Sequence, residues 1–231
     1  MPSFDIIKRV SAPNTFRTSA IISNFDIDTS HIGEHFTGEI TPQDGWQVGL
    51  IVGGSGTGKT TIAKEVFKDA YFCAYDYTAS AVIDDMPKAS IKDIEKAFTA
   101  VGFSSPPSWL KPYAVLSNGE KMRVDLARCI LDDKPLIVFD EFTSVVNREC
   151  AKTTACAISK AIRRSGKQFV AVSCHDDIVD WLQPDWIYDT DQKRFFQQRE
   201  STTAQTSNLK YTGLAMDIKK QYGRYLGSIT I

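Results

Sequence analysis

The stretch VGLIVGGSGTGKTT at positions 48–61 decides the fold. Its first five residues are a continuous apolar run, the pattern of a strand buried on both faces in a parallel sheet. The turn that follows, Gly53, Gly54, Ser55, Gly56, Thr57, Gly58, Lys59 and Thr60, fits GxxxxGK[ST], a phosphate-binding loop. Each residue type has a physical reason. Glycines let the backbone curl until several N–H groups point at one anion, and the start of the next helix adds its partial positive charge. Lys59 supplies a full charge to the β and γ phosphates of a nucleotide, Thr60 offers a hydroxyl to Mg²⁺, and Thr61 completes the set. A helix is expected from about Lys59 through Phe67. A chance glycine turn has no reason to lie between a buried strand and a helix, the context that the motif requires.

Working outward, PLIVF at 135–139 and QFVAVS at 168–173 read as two further buried strands, and YFCAY at 71–75 as an aromatic one. Helices are expected over 90–101, with Ser90 and Asp93 as the start signal, and over 148–165, stopped by Gly166. Another opens at LSNGE, 116–120, where Ser117 and Glu120 have capping-box spacing, and runs to Leu131. A short helix at 178–182 and weak strands at 186–188 and 194–197 follow. The prolines of SSPPSW, 104–109, mark a loop, and positions 1–46 hold short β-like runs such as SAIISNFDI. Strands alternating with helices predict an α/β domain on a largely parallel sheet, with ligands bound where strands end in loops. Asp140 and Glu141 stand at such an end. Beside a phosphate loop on a neighbouring strand, the first carboxylate can hold Mg²⁺ through water and the second can polarise a nucleophile.

The chain has 231 residues, 42% hydrophobic and 24% charged, enough to bury a real core. Its net charge of −1 gives no whole-molecule attraction to nucleic acid or an anionic membrane. The charge is uneven, because positions 193–231 carry seven bases against two acids. No apolar run reaches the 18 residues or so that a membrane-spanning helix needs. Asp5 and Lys8 fall where a signal peptide would be apolar, so a cytoplasmic protein is expected. Cys73, Cys129, Cys150, Cys156 and Cys174 form no CxxC pair, and neither a disulfide framework nor a zinc site is expected.

The order of these motifs resembles the ATP-binding-cassette (ABC) ATPase superfamily. Residues 53–60 match its Walker A loop, LSNGE its LSGGQ signature, LIVFDE at 136–141 its Walker B strand, FTSVVN at 142–147 its D-loop and VSCH at 172–175 its switch histidine. The likeness spans roughly positions 19–197. It implies a P-loop fold of ABC type: a mainly parallel sheet flanked by helices, N-terminal antiparallel strands, and a reduced helical lobe at about 77–130. It implies further that Glu141 orients the attacking water and that His175 contacts the γ-phosphate. Ser117 and Gly119 would cap the γ-phosphate of a nucleotide on a second copy, giving a head-to-tail homodimer. Residues 1–199 would form the nucleotide-binding domain and 200–231 a basic tail.

There are departures from the pattern. Asn118 replaces a glycine of the signature, Phe142 the usual proline, and Asn147 the usual Asp of the D-loop. No glutamine occurs between Thr61 and Val115, so the Q-loop residue is missing. Only 57 residues separate Gly58 from Leu116, too few for the lobe that grips a membrane subunit, and none is expected as a partner. Phe25, His31, Phe36 and Trp46 are candidates for stacking on adenine. His31 and His35, four apart with Glu34, could pair on a metal on a helix face, but the flanking sequence is strand-like and lacks further ligands, so no metal site is expected there; Lys121, Arg123 and Arg128 read as a solvated helix face. The expected function is hydrolysis of MgATP in concert with DNA or a protein partner. The rival is a P-loop kinase of the same fold that passes the γ-phosphate to a hydroxyl, such as a hydroxymethylated base in DNA.

Overall fold

The computed structural model describes residues 3–9, 14–28, 33–72 and 74–197. The basic tail at 200–231, His31 and Cys73 lie outside the described residues. β3 (Val48–Val52), β5 (Leu136–Phe139) and β6 (Gln168–Ser173) lie where their apolar runs place them. With β4 (Tyr71–Phe72), β7 (Trp186–Asp189) and β8 (Arg194–Gln197) they form a six-stranded sheet in the order β4-β5-β6-β3-β7-β8. The first five strands run parallel; only β8 is antiparallel to its neighbour.

Side chains that alternate along these strands feed two cores. On one face Leu50, Val52, Ile137, Phe139, Phe169 and Ala171 pack against α3 (Ile91–Ala100), α5 (Asn118–Leu131) and α6 (Arg148–Ser165). On the other, Ile51, Val138, Val170, Val172 and Trp186 meet Ile62 and Ala63 of α2 (Lys59–Val66). A small antiparallel sheet of β1 (Ser3–Arg9) and β2 (Gly33–Glu39) is seated on that second face by Phe4, whose ring meets Tyr188 edge-on at 5.6 Å. Two shorter helices are α4 (Pro106–Trp109) and α7 (Ile178–Leu182).

Three readings are corrected. The run SAIISNFDI is not β-like: most of it belongs to α1 (Phe16–Phe25), which starts at a capping box between Thr15 and Thr18 and stops at left-handed Asp26. None of its residues is buried, so local capping rather than packing sets its form. The double proline of SSPPSW sits at the first two positions of α4, where a missing N–H costs nothing. YFCAY is strand for two residues only; its continuation turns toward α5, where Tyr77 stacks on Tyr113 at 3.8 Å. Both phenols donate to Asp125, at 2.7 and 2.9 Å, and burial pushes that carboxyl above its usual range while the two bonds oppose the shift.

The solvated face expected on α5 is also a clamp. Arg128 lies over the rings of Tyr75 and Tyr77 and donates to the Asp76 carbonyl at 3.0 Å, and Arg123 reaches Thr154 at 3.2 Å. His35 bonds to Asp5 at 2.5 Å across the β1–β2 pair, which places it on a strand and not on a helix face. Among the described residues no helix is long and apolar enough to cross a membrane.

Packing at the central strand is tight enough to test. A Cβ built on Gly49 would come within 2.1 Å of Cζ2 of Trp186, which is wholly buried. Gly49→Ala is expected to cost about 1–3 kcal/mol by overpacking, read as a lower urea midpoint with an unchanged slope.

Candidate functional site

Parallel register brings the motif residues to one edge. Val52 pairs with Ser173 on one side and Asp189 on the other, so Gly53, Cys174 and Thr190 follow at the same level. Phe139 pairs with Ala171, which brings Asp140 to that edge as well. The sequence reading set Asp140 on a strand next to the phosphate loop; the structure inserts β6 between them. His175 therefore leaves the strand that separates the loop from the carboxylates.

The loop at 53–60 curls as its glycines demand. Gly58 has φ of +88° and caps α2, and a Cβ there would strike the Phe36 ring at 2.3 Å. A Cβ on Gly53 would meet Thr190 Oγ1 at 2.1 Å. Thr57 bridges to Thr190 at 2.5 Å and donates to the Gly54 carbonyl at 2.9 Å. Asp191, in the turn after β7, accepts from the Gly54 N–H at 2.8 Å. Ser55 is exposed and Thr60 and Thr61 are half-buried at the start of α2.

Lys59 is buried, and its ammonium donates to the Gly54 carbonyl at 2.5 Å without an ion pair among the described residues. A buried cation beside an open curl, where a Cβ on Gly56 would meet nothing within 4 Å, fits an anionic phosphate chain. Asp140 accepts on both oxygens, from Tyr71 Oη at 2.5 Å and from the Glu141 N–H at 2.8 Å. Thr60 and Asp140 offer the hard oxygen donors that Mg²⁺ takes. Among the described residues no group of three or more His, Cys, Asp or Glu could hold a metal, so phosphate oxygens and water would have to complete its shell.

Glu141 is exposed, with φ of +51°, and Thr143 has φ of +69°. Two left-handed residues in this turn are held by the neighbouring strand, because Phe142 between them is buried and donates to the Val172 carbonyl at 2.8 Å. His175 is half-buried, its N–H donating to Ser173 Oγ at 3.2 Å. The next residue, Asp176, has its carboxyl raised by burial and by the charges of Asp189, Asp191 and Asp177. Asp177 in turn pairs with Arg148 at the start of α6, which ties the histidine loop to that helix.

Ser117 and Gly119 lie at the start of α5. The Ser117 hydroxyl and N–H both bond to Glu120 in the capping box that opens α5, and Gly119 lies against Cys150 and Val146. Hydrogen bonds from the Ser117 backbone and hydroxyl hold the Glu120 carboxyl below its usual range. Asn147 caps α6 through a 2.8 Å bond from the Cys150 N–H, which gives the altered D-loop position a local role. Of the adenine candidates, Phe36 touches the loop, Trp46 packs edge-on to Trp186 in the core, and Phe25 projects from α1. Tyr71 and Asp191 were not singled out by sequence. Nothing in their spacing marks them; strand pairing alone brings them to the site.

Comparison with known proteins agrees with this geometry. The family model described as ATPase family associated with various cellular activities (AAA) matches residues 49–165. The thiamine import ATP-binding protein ThiQ of Histophilus somni is 37% identical over 78 residues, which are 34% of this chain and 36% of that protein. The chain thus spans about a third of that relative's length. An ATP-binding cassette solved as a dimer in a post-hydrolysis state, bound to ADP and Pi, superposes with a TM-score of 0.57 at 14% identity, over 73% of this chain and 94% of that one. A bacterial Atm1-family ABC exporter with ATP bound gives 0.54 at 18% identity, over 85% and 39%. The family model covers just over half of the chain and makes it a member of the AAA family so described, while the fold around its phosphate loop and paired carboxylates is similar to that of ATP-binding cassettes.

Proposed function

We propose that this protein binds ATP with Mg²⁺ and cleaves the γ-phosphoryl group to water. The observation that carries the reading is the gathering of the 53–60 loop, Asp140, Glu141 and His175 at one edge of three adjacent parallel strands. Lys59, already buried and unpaired by any carboxylate among the described residues, neutralises charge on the β and γ phosphates. The N–H groups of the loop and the N-terminus of α2 add fixed positive potential, which needs no reorganisation when charge shifts in the transition state.

Thr60 and Asp140 would hold the metal. Bound Mg²⁺ would supply electrostatic stabilisation of the phosphate oxygens. Glu141, exposed and fixed by its backbone, takes the proton of the attacking water as the new oxygen–phosphorus bond forms and the bond to the leaving ADP oxygen breaks. His175 contacts the γ-phosphate from the strand between the loop and the carboxylates. Residues 1–199 act as one nucleotide-binding domain.

Ser117 and Gly119, at the start of α5, reach a nucleotide held by a second copy in a head-to-tail dimer. The comparison cassette is a dimer, which supports the arrangement. The chain works with a protein or DNA partner and without a membrane subunit. Transfer to a hydroxyl acceptor would use the same Glu141. ATP labelled at the γ position separates the two: free phosphate is expected, and label retained on hydroxymethylated DNA would overturn hydrolysis in favour of a kinase.

Two variants test the site. Lys59→Ala removes the buried charge and should weaken MgATP binding about 10- to 100-fold, the size of a lost charge-assisted bond, by calorimetric titration. Unchanged affinity would remove the loop from the site. Glu141→Gln keeps shape but not basicity, and turnover should fall on the order of 10²-fold or more while ATP still binds. In that variant ATP should trap a dimer visible by light scattering, and a monomer would exclude the role given to Ser117.

A further inference from the structure

Asp140 is gripped on both oxygens, and one of the grips comes from another strand. Tyr71 pairs with Val138, and Phe72 with Phe139. Side chains alternate along a strand, so Val138 and Asp140 share a face, and Tyr71 shares it with them. The burial pattern confirms the faces: Tyr71 and Val138 pack in one core, Phe72 and Phe139 in the other. Tyr71 and Asp140 are thus diagonal neighbours, about 7–8 Å apart in backbone terms, a gap that an aromatic side chain spans. The phenol closes it with a 2.5 Å bond to Oδ2, and Lys64 lies over the ring, its ammonium 5.0 Å from the centroid.

We propose that Tyr71 is a positioning residue for the metal carboxylate: its hydroxyl fixes the rotation of Asp140 so that the lone pairs left free face the metal's water shell. The proposal rests on the assignment of Asp140 to Mg²⁺ in the preceding section. An ionised carboxylate has about four acceptor sites. The Glu141 N–H takes one on Oδ1 and Tyr71 takes one on Oδ2, which leaves one on each oxygen. With the phenol removed, the bond from the adjacent residue is the one that holds the group among the described residues, and that bond does not prevent Oδ2 from swinging. Partners that hold a metal's ligands typically contribute 10- to 100-fold in metal affinity. The position falls in the interval, 61–115, that lacks any glutamine, so this bond from β4 is supplied by a residue that no motif marks.

Tyr71→Phe tests this, since it keeps the ring and its place beside Lys64 and deletes only the hydroxyl. The probe is Mn²⁺ titrated into the protein with a non-hydrolysable ATP analogue and read by electron paramagnetic resonance. Mn²⁺ affinity should fall about 10-fold or more, affinity for the metal-free analogue should stay within about twofold, and the Mg²⁺ concentration that half-saturates turnover should rise by the same factor as the Mn²⁺ loss. Mn²⁺ affinity within about twofold of the parent protein, or an equal loss of metal-free nucleotide binding, would overturn the role. Asp140→Asn separates this from the assignment beneath it. If Asp140→Asn loses Mn²⁺ and Tyr71→Phe does not, Tyr71 alone is refuted; if Asp140→Asn also keeps Mn²⁺, the metal assignment itself fails.

Discussion

Everything at the candidate site depends on the level at which five parallel strands end. Val52 is hydrogen-bonded between Ser173 and Asp189, and Phe139 sits one strand further out opposite Ala171. Backbone pairing is cooperative and set by the apolar faces it buries, so a slip by one residue would turn Leu50, Ile137 and Phe169 out of their core. The core therefore holds the register, and the register sets the positions of Lys59, Asp140 and His175. Chemistry is placed here by residues that take no part in it.

Loops at that edge are braced by polar contacts as well as by burial. Thr190 bridges Thr57 and the Val52 carbonyl, Asp191 holds the Gly54 N–H, and Arg148 holds Asp177. Each brace links segments far apart in sequence. A different device stabilises the lobe between the sheet's outer strand and the signature helix. There, stacked Tyr77 and Tyr113 converge on Asp125 and Arg128 lies over the Tyr77 ring, so polar groups of a small hydrophobic cluster are satisfied inside it.

The central strands were legible because a parallel strand buried on both faces leaves an unbroken apolar run, as VGLIV and QFVAVS do. Helix starts at Ser90, Ser117 and Asn147 were legible for a related reason: a cap is a contact between residues three apart. Helix α1 was misread because paired Ile21 and Ile22 look strand-like, while the Thr15–Thr18 box that decides it lies outside the run. Strand order could not be read, since pairing of β6 between β3 and β5 is a property of topology and not of any one segment. For the same reason Tyr71 was read only as part of an aromatic strand: its partner Asp140 lies 69 positions away, and no local pattern records that distance.

The left-handed backbone at position 141 has a meaning for how this chain can change over time. A side chain other than glycine costs about 1–2 kcal/mol there, so for folding alone glycine or asparagine would be favoured over Glu141. Selection for stability and selection for a carboxylate thus pull the same codon in opposite directions. If Glu141 serves as the proposed base, a glutamate at a position whose backbone disfavours it is a residue held there for its chemistry, and a loss of that activity would leave its first mark here.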